Sequence, residues 1–89
     1  MSHRGRAAHD FDEIILDTRR EAEEVLSRLY DILSKYEVVT VSDLYDLTGI
    51  DSNYTDQDWG WTELRGSQIV NVRNGYLLDL PKPEPLRRN

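Results

Sequence analysis

The Asn74-Gly75 dipeptide constrains this chain more than any other feature, because it stands between two β-prone runs. Residues 68–72 (QIVNV) precede it and residues 76–80 (YLLDL) follow it. Asn-Gly is the strongest short hairpin signal, since both residues tolerate a positive φ angle at little cost. The sequence therefore predicts that the C-terminal half of the chain closes with a β-hairpin.

The apolar residues predict the register of this hairpin, since a one-residue slip moves every side chain to the other face. A two-residue turn at Asn74-Gly75 mixes polar and apolar side chains on both faces. A three-residue loop from Arg73 to Gly75, with Gly75 as a left-handed bulge residue, collects the apolar side chains on one face. We predict that this face is buried; it comprises Val70, Val72, Tyr76, Leu78 and Leu80.

Three helices are predicted ahead of the hairpin, and capping boxes begin the first two. The longest covers about residues 18–36, where a capping box at Thr18 and Glu21 precedes one apolar stripe at helical spacing. That stripe consists of Ala22, Val25, Leu26, Leu29, Leu33 and Tyr36. A second capping box, Thr40-Val-Ser-Asp43, begins a short helix that Gly49 ends in the left-handed cap position.

The remaining elements are shorter. Residues 14–16 (IIL) are predicted as a strand or as an anchor on the core, and residues 38–39 as a short β-prone pair. Residues 55–58 (TDQD) cap a weak third helix carrying Trp59, Trp61 and Leu64, which Gly60 destabilises by ~1 kcal/mol.

This element order predicts the α+β class and matches a winged helix-turn-helix, with the hairpin as the wing. A small α+β domain with the same elements packed differently is the alternative. The predicted organisation has a flexible basic arm at residues 1–10, one winged-helix-like domain at 11–80, and an extended, proline-rich basic tail at 81–89.

The charge distribution disfavours DNA binding by such a wing and helix. Residues 10–80 contain 16 acidic residues against six basic ones, whereas each end of the chain carries a net charge of +2. The third helix would present Asp56, Asp58 and Glu63 beside Arg65 alone, and these carboxylates would repel a phosphate backbone. Binding to a protein partner is therefore favoured, and DNA binding remains the disfavoured alternative.

The sequence predicts no catalytic residue, metal ligand set or cofactor, and the chain is expected not to be an enzyme. It contains no cysteine, which excludes disulfides and thiol nucleophiles. No apolar run approaches the ~20 residues that span a bilayer, so no membrane association is expected. Four residues are candidates for contact with a partner, namely Trp61, Arg65, Arg73 and Asn74.

Trp59 and Trp61 are two residues apart and cannot share one face of a regular helix. We expect at least one of them, with Trp59 favoured, to pack in the core against the long helix. The sequence leaves open which one is exposed; Trp61 is nominated as the exposed partner anchor, because tryptophan is enriched at interface hot spots.

Three segments of the chain resemble a group of small proteins encoded by tailed bacteriophages and prophages of Gram-positive and actinobacterial hosts. They are VVTVSDLYDLTGI, NYTDQDWGWTELRG and VRNGYLLDLPKPEP, and the likeness covers about residues 13–85. The most specific part runs from Tyr54 through Trp61 to Gly66. The resemblance implies a phage accessory protein, located in the host cytoplasm or in the virion, and it carries no established site residues.

Three functional hypotheses follow from these patterns. The first is a non-enzymatic phage accessory protein that acts through protein contacts, as a virion or assembly component beside protein partners or neighbouring subunits. The second is a winged-helix DNA-binding phage regulator that uses Arg65, Arg73 and the basic arm. The third is an acidic inhibitor of a host nucleic-acid enzyme.

Overall fold

A computed structural model describes residues 14–51 and 57–86, which form two helices and two three-stranded antiparallel sheets. In chain order the elements are β1 (Ile14–Leu16), α1 (Arg19–Tyr36), β2 (Val39–Thr40), α2 (Val41–Thr48), β3 (Trp59–Trp61), β4 (Gln68–Val72), β5 (Gly75–Asp79) and β6 (Glu84–Pro85). The first sheet has the order β1-β5-β4 and the second the order β2-β3-β6. The predicted α+β class is confirmed.

Local capping signals place both helices where the sequence predicts them. Thr18 Oγ1 accepts a hydrogen bond from the backbone N–H of Glu21 at 3.1 Å, at the start of α1. At α2, Thr40 Oγ1 accepts from the N–H of Asp43 at 2.9 Å, and the Asp43 carboxylate accepts from the N–H of Thr40 at 3.0 Å. Gly49 ends α2 in the left-handed region with φ of 77°.

The apolar stripe of α1 faces the core for most of its length. Ala22, Val25 and Leu29 are buried, and they lie beneath the inner face of the first sheet with Ile14 and Leu78. The prediction is wrong at the last turn of the helix, where Tyr36 is 66% exposed.

The second sheet and α2 close the other side of the core. The largest fully buried side chains of the core are those of Trp61, Leu29, Leu44, Leu64, Val39 and Val41. Burial of this apolar surface is the main force that holds the two sheets on α1.

The predicted third helix is wrong, because Trp59–Trp61 is strand β3, paired with both β2 and β6. Gly60 explains the difference: a Cβ there would collide with the carbonyl oxygen of Val39 and the Cα of Thr40. The glycine permits close strand contact rather than weakening a helix. The predicted cap of the third helix, Thr55, lies outside the described residues. Residues 14–51 and 57–86 thus contain two helices, and a winged helix is not confirmed.

The hairpin is present, but its predicted register is wrong by one residue. The turn consists of Arg73 and Asn74, and Val72 pairs directly with Gly75, the first residue of β5. Gly75 has φ of 148°, outside the left-handed helical region, and a Cβ there would collide with the carbonyl oxygen of Leu16 in β1. Ile69 rather than Val70 therefore lies opposite Leu78.

This register divides the apolar residues of the hairpin between two faces. Leu78 is buried, and Ile69 and Leu80 pack against the core on the same side. Val70 and Val72 lie on the opposite face, not in the buried group that the sequence predicts. The cause is β1, whose Ile14 pairs with Leu78 and supplies part of the inner face.

Residues 81–86 are part of the fold, whereas the sequence predicts a separate tail from residue 81. Glu84 pairs with Gly60 and Pro85 with Trp59. The indole Nε1–H of Trp61 donates to the carbonyl oxygen of Pro81 at 2.7 Å. Proline is tolerated here because β6 is an edge strand. The predicted arm at residues 1–10 and the last part of the tail, 87–89, lie outside the described residues.

Neither of the described helices combines the length and the apolar character that crossing a bilayer requires.

The contact between β2 and β3 predicts different costs for two glycine substitutions. Gly60→Ala forces the β2 backbone to move and should lower the free energy of unfolding by about 3 kcal/mol. Gly49→Ala meets no atom within 4 Å and incurs only the left-handed backbone strain, about 1 kcal/mol. Urea denaturation of both variants measures the difference. Equal costs would contradict the close strand contact at Gly60.

Candidate protein-interaction surface

The first sheet has a second apolar face, directed away from α1. Side chains alternate along a strand, so the residues that neighbour inner-face positions point outward. We call the four apolar residues on this side the outer face, namely Ile15, Val70, Val72 and Leu77. In register, Leu77 pairs with Ile15 on one side and with Val70 on the other. The four residues thus form one continuous apolar surface across three strands.

The outer face is separate from the hydrophobic core. Ile15 is 39% exposed, and the other three residues are half-buried. None of the four belongs to the core cluster or to the side chains packed against it, within the described ranges 14–51 and 57–86. An apolar surface that spans a whole sheet in this way is a recognised mark of an interaction site.

Glycine and a β-branched side chain shape one margin of the outer face. A Cβ built on Gly75 would lie 3.1 Å from Cγ2 of Ile15, so the isoleucine side chain extends over the glycine. The Ile15 side chain therefore occupies the space over Gly75, where β1 and β5 meet.

Two charged residues mark the opposite ends of the hairpin. Arg73 is exposed in the turn, and Asp79 is exposed at the far end of β5. The Asp79 carboxylate accepts a hydrogen bond from Gln68 Nε2 at 3.1 Å. Strands β1, β4 and β5 hold no other charged residue. Polar groups thus bound the apolar area at both ends.

Strand β4 forms an edge of the first sheet. One side pairs with β5, and the other side pairs with no strand in the described part of the chain. Its sequence, QIVNV, contains no proline and no charged residue such as lysine. Natural proteins use such residues to block pairing at exposed edges. Within residues 14–51 and 57–86, nothing pairs with this edge of β4, which leaves it open to a further strand.

The structure separates the four residues that the sequence nominates for partner contact. Trp61 is 2% exposed and Trp59 is half-buried, so the expectation that Trp61 is the exposed anchor is wrong. Pairing of β3 in the second sheet turns Trp61 into the core, where its indole reaches Pro81. Its side chain is not on the described surface.

The other three nominated residues are exposed, at opposite ends of β4. Arg65 lies in the turn before β4, and Arg65 Nη2 is 3.8 Å from Glu63 Oε1. Arg73 and Asn74 form the turn after β4 and border the outer face. The structure therefore brings two of the four nominated residues to the apolar surface.

The sequence reasoning missed Ile15 and Leu77 as surface residues. The available signal was the pairing of adjacent apolar residues in all three strands, at positions 14–15, 69–70 and 77–78. A strand with one solvated face alternates apolar and polar residues, whereas consecutive apolar residues indicate two apolar faces.

Two grooves elsewhere on the described surface are lined in part by acidic side chains. One, of about 600 Å³, lies beside β2 and β6 and includes Asp43 and Glu84. Asp43 caps α2, and the Glu84 carboxylate accepts a hydrogen bond from Thr62 Oγ1 at 3.0 Å. The other, of about 480 Å³, lies between α1 and α2 and contains Glu21, Glu24 and Asp46. In the ranges described, no three acidic or histidine side chains converge as a cation site.

Comparison of the chain with protein-family models, curated proteins and solved structures finds no match.

Adjacent leucines in β5 test the division into inner and outer faces. Leu78→Ala removes a side chain that is 3% exposed and should lower the free energy of unfolding by about 2–4 kcal/mol. Leu77→Ala, on the outer face, should cost less than about 1 kcal/mol. Urea denaturation at low protein concentration measures both. A larger cost for Leu77→Ala would show that the outer face is buried.

Proposed function

We propose that this chain is a non-enzymatic phage accessory protein that acts through protein contacts, as a component of the virion or of its assembly. The observation that carries the contact role is the outer face, where Ile15, Val70, Val72 and Leu77 form one apolar surface apart from the core. Covering such a surface with a partner removes it from water, which is the main driving force for association.

The phage setting rests on the sequence resemblance, and the location that accompanies it is the host cytoplasm or the virion. Small size agrees with a contact role, since 89 residues form one modest core.

The charges of the described residues indicate the chemistry of the partner. Acidic residues outnumber basic ones by 13 to seven in ranges 14–51 and 57–86. Asp17 follows β1 and Asp79 ends β5, so two carboxylates border the outer face, and Arg73 in the turn adds one cation. We therefore expect a protein partner with an apolar patch and basic residues at its margin.

A binding experiment with two matched aspartate substitutions tests the proposal. The purified chain is immobilised and exposed to the individual proteins encoded by the phage genome that carries its gene. Leu77→Asp places a charge at the centre of the outer face and should weaken binding at least about 100-fold, as for a hot-spot loss. Ser34→Asp adds the same charge on exposed α1 and should leave binding unchanged.

Two results would contradict the proposal. One is failure of the unmodified chain to bind any protein from that genome, and the other is equal binding by the Leu77→Asp variant. Circular dichroism of each variant confirms the fold. Retention of a host nucleic-acid enzyme in place of a phage protein would favour the acidic-inhibitor hypothesis instead.

A winged-helix DNA-binding regulator is the second candidate, and the exposed Arg73-Asn74 turn is the observation in its favour. The acidic excess opposes it, as does the strand at Trp59–Trp61 in place of a reading helix. Fluorescence anisotropy with labelled duplex DNA at low salt tests whether the chain binds DNA. Binding that falls steeply with salt and is lost in Arg73→Glu would support this candidate over the first.

A further inference from the structure

We infer that a second copy of this chain pairs with the free edge of β4, so that two three-stranded sheets join into one six-stranded antiparallel sheet. This inference deepens the proposed function, on which it rests for its biological role, by naming one partner and where it binds. Strand addition at an exposed edge is a common mode of protein recognition, because backbone hydrogen bonds supply the contact.

The composition of β4 favours a copy of itself as the added strand. A two-fold axis through Val70 pairs all five residues: Val70 with the partner's Val70, Gln68 with the partner's Val72, and Ile69 with the partner's Asn71. No charged side chain opposes another along this interface, whereas like charges in direct opposition would destabilise it. The edge is thus complementary to itself in the antiparallel direction.

The same axis extends the outer face without interruption. Ile15 pairs with Leu77, and Leu77 pairs with Val70. Adding the second copy gives a row of six apolar residues across six strands, with the two Val70 side chains at its centre. The dimer therefore doubles the width of the apolar surface that the proposed function assigns to a protein partner.

Charge complementarity selects the antiparallel orientation. Arg73 is at the turn end of the hairpin and Asp79 at the open end. The two-fold axis sets the turn end of each copy beside the open end of the other, so the Arg73 backbone lies about 10 Å, two strand spacings, from that of the partner's Asp79. The nearby Arg65 is offset by Glu63, 3.8 Å away. Parallel pairing would instead bring two arginines together, which electrostatics disfavours.

The short edge limits the strength of the dimer. Five residue pairs bury less surface than the standard stable interface of about 1,600 Å². We therefore expect a dissociation constant on the order of 10–100 µM, which dilute samples would not reveal.

Single-cysteine variants test the position of the axis, since the chain contains no cysteine of its own. Directly opposed residues in antiparallel strands have Cα atoms about 4.5–5.5 Å apart, within disulfide range. Val70→Cys should therefore give a disulfide-linked dimer on mild oxidation. Val72→Cys is the matched control on the same strand and face, but its two copies lie roughly 14 Å apart.

Val70→Cys should form the disulfide-linked dimer at least about tenfold faster than Val72→Cys, because the rate of thiol–disulfide exchange depends on access between the two sulfur atoms. A mixture of Gln68→Cys and Val72→Cys should give the mixed dimer in preference to either homodimer. Equal rates for Val70→Cys and Val72→Cys, or no preference in the mixture, would overturn the proposed pairing.

Sedimentation of the unmodified chain gives an independent readout without cysteines. Its average mass should rise from 10.4 kDa toward twice that value between about 10 µM and 1 mM. Val70→Lys should remain monomeric, because two like charges would meet at the axis. Leu77→Lys, whose copies would be roughly 14 Å apart across three strand spacings, should still dimerise. A monomeric unmodified chain at 1 mM would overturn the inference.

The two proposals fail separately. A monomeric chain that still binds a phage protein through Leu77 would remove the β4 dimer and keep the contact function. A Val70-centred dimer that binds no phage protein would keep the edge pairing and remove the proposed function.

Discussion

The position of β5 between β1 and β4 is the constraint on which the two faces of the first sheet depend. Leu78 pairs with Ile14 on one side and Ile69 on the other, so these three residues turn toward α1 together. The preceding residue, Leu77, must then face away. Gly75 permits this arrangement, since a Cβ there would collide with the backbone of Leu16. One pairing thus determines both the core and the apolar surface opposite it.

The parts of the fold that the sequence predicted correctly depend on neighbours within a few residues. A threonine followed three residues later by an acid identified the start of both helices, because the capping contacts are local. The register of the hairpin depends instead on β1, more than fifty residues earlier in the chain. Consecutive apolar residues at 69–70 and 77–78 left each register with an apolar face, so alternation could not decide between them. The buried face predicted for the hairpin was wrong for the same reason, since Val70 and Val72 lie on the other side.

The strand at Trp59–Trp61 shows the same limit in the second sheet. Its partners are β2, some twenty residues before it, and β6, some twenty-five residues after it. Tertiary pairing overrode a helical pattern that a capping-like signal favoured locally. Trp61 was nominated as an exposed anchor because two tryptophans two residues apart cannot share one face of a helix. Pairing with β2 and β6 turned it inward, and its hydrogen bond to Pro81 brought the predicted tail into the fold.

The proposed contact function depends on the outer face of the first sheet, and one residue of register determines which side chains form that face. The most direct measurement is a nuclear Overhauser spectrum of the isotopically labelled chain, read across its strands. The account predicts cross-strand backbone contacts from Val70 to Leu77 and from Leu77 to Ile15, because these residues are directly opposed. Contacts from Val70 to Leu78 in their place would put Val70 in the core and contradict the account.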